Sequence, residues 1–160
     1  MAKLSDLKLT YRIFMETYRY RRVDWRPGAV LRKPLSEASI AVVSTAAFHL
    51  PGQAPFDRSV RGGDWSFREI PADADLHALR IAHKSDAFDH SGIENDANLA
   101  MPLDRLREIQ AEGRIGGLAP RHFSFMGSIS APARLLNDSA PAVAASLAAD
   151  GADAVLLTPV

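Results

Sequence analysis

The chain has 160 residues, 47% of them hydrophobic and 24% charged, and its 19 basic and 19 acidic side chains cancel. That length buries enough apolar surface for one domain without covalent staples. There is no cysteine, which excludes disulfides, Cys-ligated zinc, iron–sulfur clusters and a cysteine nucleophile within these residues.

The charge is unevenly spread. Residues 1–34 carry nine Lys/Arg against three Asp/Glu, so residues 1–34 read as a basic helix and linker, and 35–160 as an acidic α/β domain. Lys8, Arg12 and Glu16 interrupt the N-terminal segment before a secretory apolar run can form. No stretch reaches the length of a bilayer span, and the chain reads as cytoplasmic with no membrane partner.

In chain order, Ser5 can cap a helix over 6–20 whose apolar positions Leu9, Ile13, Phe14 and Tyr18 recur at helical spacing. Arg19, Arg21, Arg22 and Arg26 interleave with Tyr20 and Trp25, a pattern able to track phosphates or stack on bases. A helix laid over its own acidic domain explains it better, so nucleic acid is the disfavoured partner. Ser39 to Thr45 is a β-branched run without polar alternation, as in a buried parallel strand. The Pro- and Gly-rich loop after it is too long for a mere connector.

Residues 65–70 and 79–83 predict short strands, and a polar loop spans 84–100. Pro102 opens a helix with an apolar face of Leu103, Leu106 and Ile109, ended by Gly113. Residues 115–119 predict the next strand. Pro141 opens a last helix, Gly151 supplies its C-terminal turn, and residues 153–158 predict another buried strand. This alternation predicts a three-layer α/β fold with a mainly parallel sheet. Its topology is Rossmann-like but lacks a GxGxxG fingerprint. The last strand lacks the helix expected to cover it, so the domain reads as truncated at its C-terminal end.

Two segments concentrate chemistry. His83, Asp89, His90, Asp96 and Asn98 place imidazoles and carboxylates on one loop, suited to acid–base work near neutral pH. Their spacing matches no metal motif, and turns and caps made by Asp and Ser side chains account for the same residues. Arg121 and His122 follow a predicted strand and could hold a carboxylate or phosphate. Equally, Phe123, Phe125 and Met126 could be core, with both cations in solvent. No P-loop or GxSxG element is present.

Four stretches occur in family order: KPLSEASIAVVSTAAFHLPGQAPFD, GDWSFREIP, IAHKSDAFDHSGIENDANLAMPLDRLREIQAEGRIGGLAPRHFSFMGSI and AADGADAVLLTPV. Together they resemble the selenoprotein B component of the glycine, sarcosine, betaine and D-proline reductases. The resemblance implies an oxidoreductase component that handles an amine or imino-acid substrate held on the pyruvoyl group of a partner subunit. A selenol or thiol attacks the α-carbon, the amine leaves, and a dithiol or a thiol/selenol carrier protein resets the enzyme. Arg68, Glu69, Asp89, His90, Asn98, Arg121 and His122 are expected to line one substrate cleft at the carboxyl edge of the sheet. A binding module that holds a small amino or carboxylic compound without turnover is the alternative, and pairing with a second copy is left open.

The resemblance puts the family's selenocysteine or cysteine just after the TPV-like strand end, beyond Val160, so these residues hold no catalytic nucleophile. The expectation is that the Val160 codon is followed by a UGA specifying selenocysteine, then an open frame with a nearby cysteine. Sequencing the gene past that codon checks it. A UAA or UAG there overturns the expectation and favours the binding module.

Overall fold

The computed structural model describes residues 8–18, 28–85 and 90–160, and the chain divides into two compact units, Met1–Val30 and Leu31–Val160. In the first, α1 (Leu9–Thr17) falls inside the predicted helix. The Thr17 hydroxyl donates back to the Ile13 carbonyl at 2.8 Å, and the Phe14 and Tyr18 rings meet at 5.4 Å. The Arg19–Arg26 cluster lies outside the described residues.

The second unit is built on β1 (Ser39–Ser44), the run read as a buried strand. Its neighbour along one side is β7 (Ala154–Thr158), parallel and in register from Ile40↔Ala154 to Ser44↔Thr158. Along the other side two short strands follow one another. The first, β5 (Gly117–Leu118), pairs in parallel at Ser39 and Ile40. The second, β6 (Arg121–Phe125), pairs in parallel at Val43 and Ser44. Next to β6 runs β3 (Phe67–Pro71), antiparallel from Phe67↔Phe125 to Pro71↔Arg121. The sheet is therefore mixed, with its parallel pairs in the majority.

Three strand expectations need correction. Residues 153–158, read as a buried strand, form β7, but its Val155, Leu156 and Leu157 are exposed. Residues 79–83 contribute only β4 (Arg80–Ile81), which pairs antiparallel with β2 (Phe48–His49) in a separate ribbon. Residues 121–125, placed after a predicted strand rather than in one, form β6. The polar loop over 84–100 contains a short helix, α2 (Ser91–Asn95), and a single 3₁₀ turn at Ala97–Leu99.

Helices cover both faces of the sheet. On one face α3 (Leu103–Ala111) sets Leu103 and Leu106 into a core with Ile40, Val42, Ile70 and Met101. On the other, α4 (Ala140–Ala149) sets Val143 and Leu147 against Ala41, Phe123 and Phe125. Ile40 and Val42 alternate with Ala41 between the two cores, which is why the β1 run shows no polar alternation. A π-type turn, Leu135–Ser139, leads into α4. Gly151 ends it at φ +71°, a left-handed conformation that side chains other than glycine resist.

The ladder beside β1 is interrupted. Ser39 faces Gly117 whereas Val43 faces Phe123, so the β5–β6 side takes two more residues than β1 over the same span. The excess falls around Ala119–Pro120. Pro120 has no N–H to offer, and its carbonyl turns away to accept from Ala72 N–H at 3.0 Å. Val42 N–H would be orphaned in the core. Instead it donates to His122 Nδ1 at 3.0 Å, so an imidazole stands in for a strand carbonyl.

That bond requires Nδ1 to be unprotonated, and His122 is fully buried. Burial, helped by the Arg107 charge, lowers its pKa to about 4 from 6.5. The unfolded chain therefore binds more protons than the folded one between those values. Stability from neutral His122 is complete above about pH 6.5 and is lost as pH falls towards 4. Going from pH 7 to pH 5 should cost about 2 kcal/mol from this residue alone. His122→Gln keeps an acceptor but does not titrate, and urea unfolding at the two pH values should show that loss largely removed. Equal pH dependence in both proteins would rule the assignment out.

Candidate functional site

The parallel strands β1, β6 and β7 end together. At that edge Thr45 N–H donates to the Thr158 carbonyl at 3.2 Å, and Val160 N–H donates to Thr45 Oγ1 at 2.8 Å. Ser124, Ser44 and Thr158 stand in register across the three strand ends, and the Thr158 hydroxyl donates to the Ala100 carbonyl at 2.6 Å. The edge is thus a shelf of strand termini above buried hydroxyls, at the end where helix-covered parallel sheets collect ligands.

The backbone bends sharply on leaving this shelf. Ala47 has φ 56° and is fully buried, although it carries a Cβ. Its N–H donates to the Phe125 carbonyl at 2.8 Å and its carbonyl accepts from Ala82 N–H at 3.1 Å, which holds the strained conformation. Ser128, just past the end of β6, has the same φ.

That anchoring of Ala82 brings His83 to the edge. His83 is 3% exposed, and its Nδ1 accepts from Ser85 N–H at 3.0 Å. The ring proton of the neutral imidazole is therefore on Nε2. Burial, then the neighbouring His90, depresses its pKa and keeps it neutral. A Cβ built on Gly127 would lie 2.6 Å from His83 Nε2, 2.9 Å from the Val160 carbonyl and 3.2 Å from the Thr45 carbonyl. Glycine at 127 is what lets the imidazole reach the strand ends. His90 packs edge-on against His83 with ring centroids 5.7 Å apart, and its Nε2 lies 2.8 Å from the Ser85 carbonyl.

The residues expected to share one cleft are dispersed. Arg121 sits at the start of β6 and bonds Asp150 through Nε and an Nη at 2.8 and 2.9 Å; Glu69 is 3.3 Å away. Hydrogen bonds to Asp150, then to Glu69, raise the guanidinium pKa above its ordinary range, and Arg121 lowers that of Asp150. This network ties β6 and β3 to the end of α4, on the α4 side of the sheet. His122, one residue on, is the buried acceptor of the ladder, not a solvent-facing cation.

Arg68 donates to the Ala54 and Pro55 carbonyls at 2.6 and 3.1 Å and lies 4.2 Å over the Phe56 ring, fixing the 54–56 loop to β3. Asn98 bonds the Asp104 carboxylate and accepts from Asp104 N–H, capping α3. It holds the Asp104 pKa low and lines a separate cavity of about 250 Å³ with His77, Arg80 and Glu94. Of the expected set, His90 alone is found beside the strand-end shelf, and Asp89 lies outside the described residues. Thr45 and Gly127 were missed as site residues, and His83, read as a candidate for acid–base work, was left out of the expected cleft. The sequence signal was their position at or just beyond the apparent ends of strands. Among the described residues no cluster of three or more His, Asp or Glu is arranged to hold a metal, and no helix is long and apolar enough to cross a membrane.

The sequence profile of the glycine/sarcosine/betaine reductase selenoprotein B family matches residues 3–160. The chain is 33% identical over 134 residues to the D-proline reductase subunit gamma of Acetoanaerobium sticklandii, covering 84% of this chain and 52% of that protein. It is 31% identical over 158 residues to the glycine reductase complex component B subunit gamma of Carboxydothermus hydrogenoformans, covering 99% of this chain and 35% of that protein. The betaine reductase complex component B subunit beta of Peptoclostridium acidaminophilum is 30% identical over 79% of this chain and 29% of its own length. The chain thus spans about half or less of the relatives it matches, and no solved structure matches it.

Gly127→Ala should place a methyl group against two backbone carbonyls and the His83 ring, costing about 1–3 kcal/mol. Amide exchange should quicken first at Thr45 and Val160. Unchanged stability and exchange would show that the close approach at Gly127 is not needed.

Proposed function

This chain belongs to the glycine/sarcosine/betaine reductase selenoprotein B family, and we propose that it forms the substrate-handling edge of a reductase that cleaves a C–N bond. The observation that carries the reading is the convergence of three parallel strand ends on His83, His90 and Thr45. In this reading the amine or imino-acid substrate is held on the pyruvoyl group of a partner subunit. That group supplies an electron-withdrawing carbonyl that activates the bound amine. The selenol or thiol nucleophile comes from outside these 160 residues, which contain no cysteine.

The chain's own side chains have a defined task at this edge. A departing amine carries away the bonding electron pair, and an N–H donor near its nitrogen stabilises that developing charge. Nε2–H of His83, buried at the strand ends and oriented by the Ser85 amide on the opposite ring nitrogen, is the donor that this reading assigns to that task. His90 buttresses the ring, and Asp89, beside it in the chain, joins this reading as a substrate contact. Thr45 holds the segment just after β7 in place through its hydroxyl, which accepts from Val160 N–H. Arg121, Glu69 and His122 are assigned to the scaffold, because the ion pairs of Arg121 with Asp150 and Glu69 engage the first two and the Val42 amide engages the third.

His83→Gln in the full-length protein assembled with its partner subunit should lower kcat for amine release by about 10²-fold while folding is retained. The assay is amine release with a dithiol reductant. A rate within about twofold of the unaltered protein would reject this role for the edge.

A further inference from the structure

Past the end of β6 the chain runs through Ser128 to Arg134, and this segment lies against the loop that holds Arg61, Gly62 and Gly63. The two backbones touch. Ala131 N–H donates to the Gly62 carbonyl at 3.1 Å. A Cβ on Gly62 would lie 2.5 Å from Ala131 Cβ, and one on Gly63 would lie 3.0 Å from Ile129 Cα. Both glycines have positive φ, 91° and 99°. Two adjacent residues are thus held in a conformation and a contact that only glycine tolerates.

The result is to bring two arginines to one cavity. Arg61, Trp65, Ala131 and Arg134 line a half-open space of about 280 Å³. Arg134 lies over the Trp65 ring, 4.4 Å from its centroid, and stacking on an aromatic face leaves the in-plane N–H fork of a guanidinium open to an acceptor. Among the described residues neither arginine is paired with a carboxylate. Arg107 and Arg121, by contrast, bond Asp104 and Asp150. Two like charges gathered at one cavity repel each other unless an anion joins them.

We propose that this cavity binds a small monocarboxylate with a short apolar tail. The carboxylate meets the forks of Arg61 and Arg134, and the tail lies against Trp65 and the Ala131 and Ala133 methyl groups. A polar or multiply charged ligand would leave that apolar wall unused. The site involves neither the strand-end shelf nor His83, so it stands whether or not the proposed cleavage reaction is correct.

The test uses Trp65 as its own reporter. The chain has two tryptophans, so Trp25→Phe leaves Trp65 as the only one. Sodium butyrate at constant ionic strength should change its emission saturably, and butyramide, the uncharged analogue, should not. Arg61→Gln and Arg134→Gln should each weaken butyrate binding by about tenfold or more, with circular dichroism confirming that both variants fold. Arg134→Lys, which keeps charge but not the fork, should also bind more weakly. An equal response to butyramide, a response reproduced by sodium chloride, or affinity unchanged in both glutamine variants would overturn the proposal. So would binding of a polyglutamate peptide with no response to butyrate, which would mark a protein-docking surface instead.

Discussion

The bond from Val42 N–H to His122 Nδ1 closes the weakest point of the sheet. β1 pairs with β5, β6 and β7 alike, so a gap in its ladder would loosen every strand that reaches the strand-end edge. Pro120 makes that gap unavoidable, because it cannot donate and its carbonyl is committed to Ala72. An unpaired amide at this depth costs roughly as much as a lost hydrogen bond. A neutral imidazole cancels that cost without placing charge in the core. The cost reappears as acid sensitivity, and His122 Nε2 is left without a hydrogen-bond partner among the described residues.

How much of this was legible in the sequence depended on whether a segment's apolar character was uniform. The runs at 39–45 and 153–158 are apolar on both faces, and both are strands at nearly the expected bounds, although only β1 is buried and Val155, Leu156 and Leu157 of β7 are exposed. The helix after Pro102 and the one after Pro141 announced themselves through proline and the glycine that follows. Arg121–Phe125 was not recognised as a strand because polar and apolar residues alternate there for three different reasons. Arg121 is drawn out by Asp150, His122 is drawn in by an amide, and Ser124 is buried at the end of the strand. No propensity scale encodes those partners, which lie 29 and 80 residues away.

The single cleft expected from the sequence is not assembled, and the reason recurs from residue to residue. Charged residues near apparent strand ends were read as ligand contacts, and most of them turn out to bind the protein itself. Arg68 fastens a loop, Arg121 fastens a helix end, and Asn98 caps a helix through Asp104. Each has acceptors or donors within reach in the fold, so its charge says little about a ligand. A better signal is a polar group whose position demands an otherwise unfavourable backbone. Ala47, Ser128, Gly62 and Gly63 all have positive φ, and none of these conformations was visible from composition.

Those four residues flank the two places where ligand chemistry is proposed. Ala47 sets the turn that carries Ala82, and hence His83, to the strand ends. Gly62 and Gly63 press the Arg61 loop onto the segment leaving β6, with Ser128 at its start. Local strain of this kind costs of order 1–3 kcal/mol at a non-glycine residue and survives only where surrounding contacts over-determine it. Here Ala47 is fully buried and packs with Phe56 and Met126, while its amide and carbonyl are both bonded. The two halves of the sheet therefore do different work. The amino-end side is tied down by ion pairs at Arg121 and Lys33, which reach Asp150 and Asp153. The carboxyl-end side holds its strained turns by backbone bonds and packing, so its polar side chains are not all consumed in stabilising the fold.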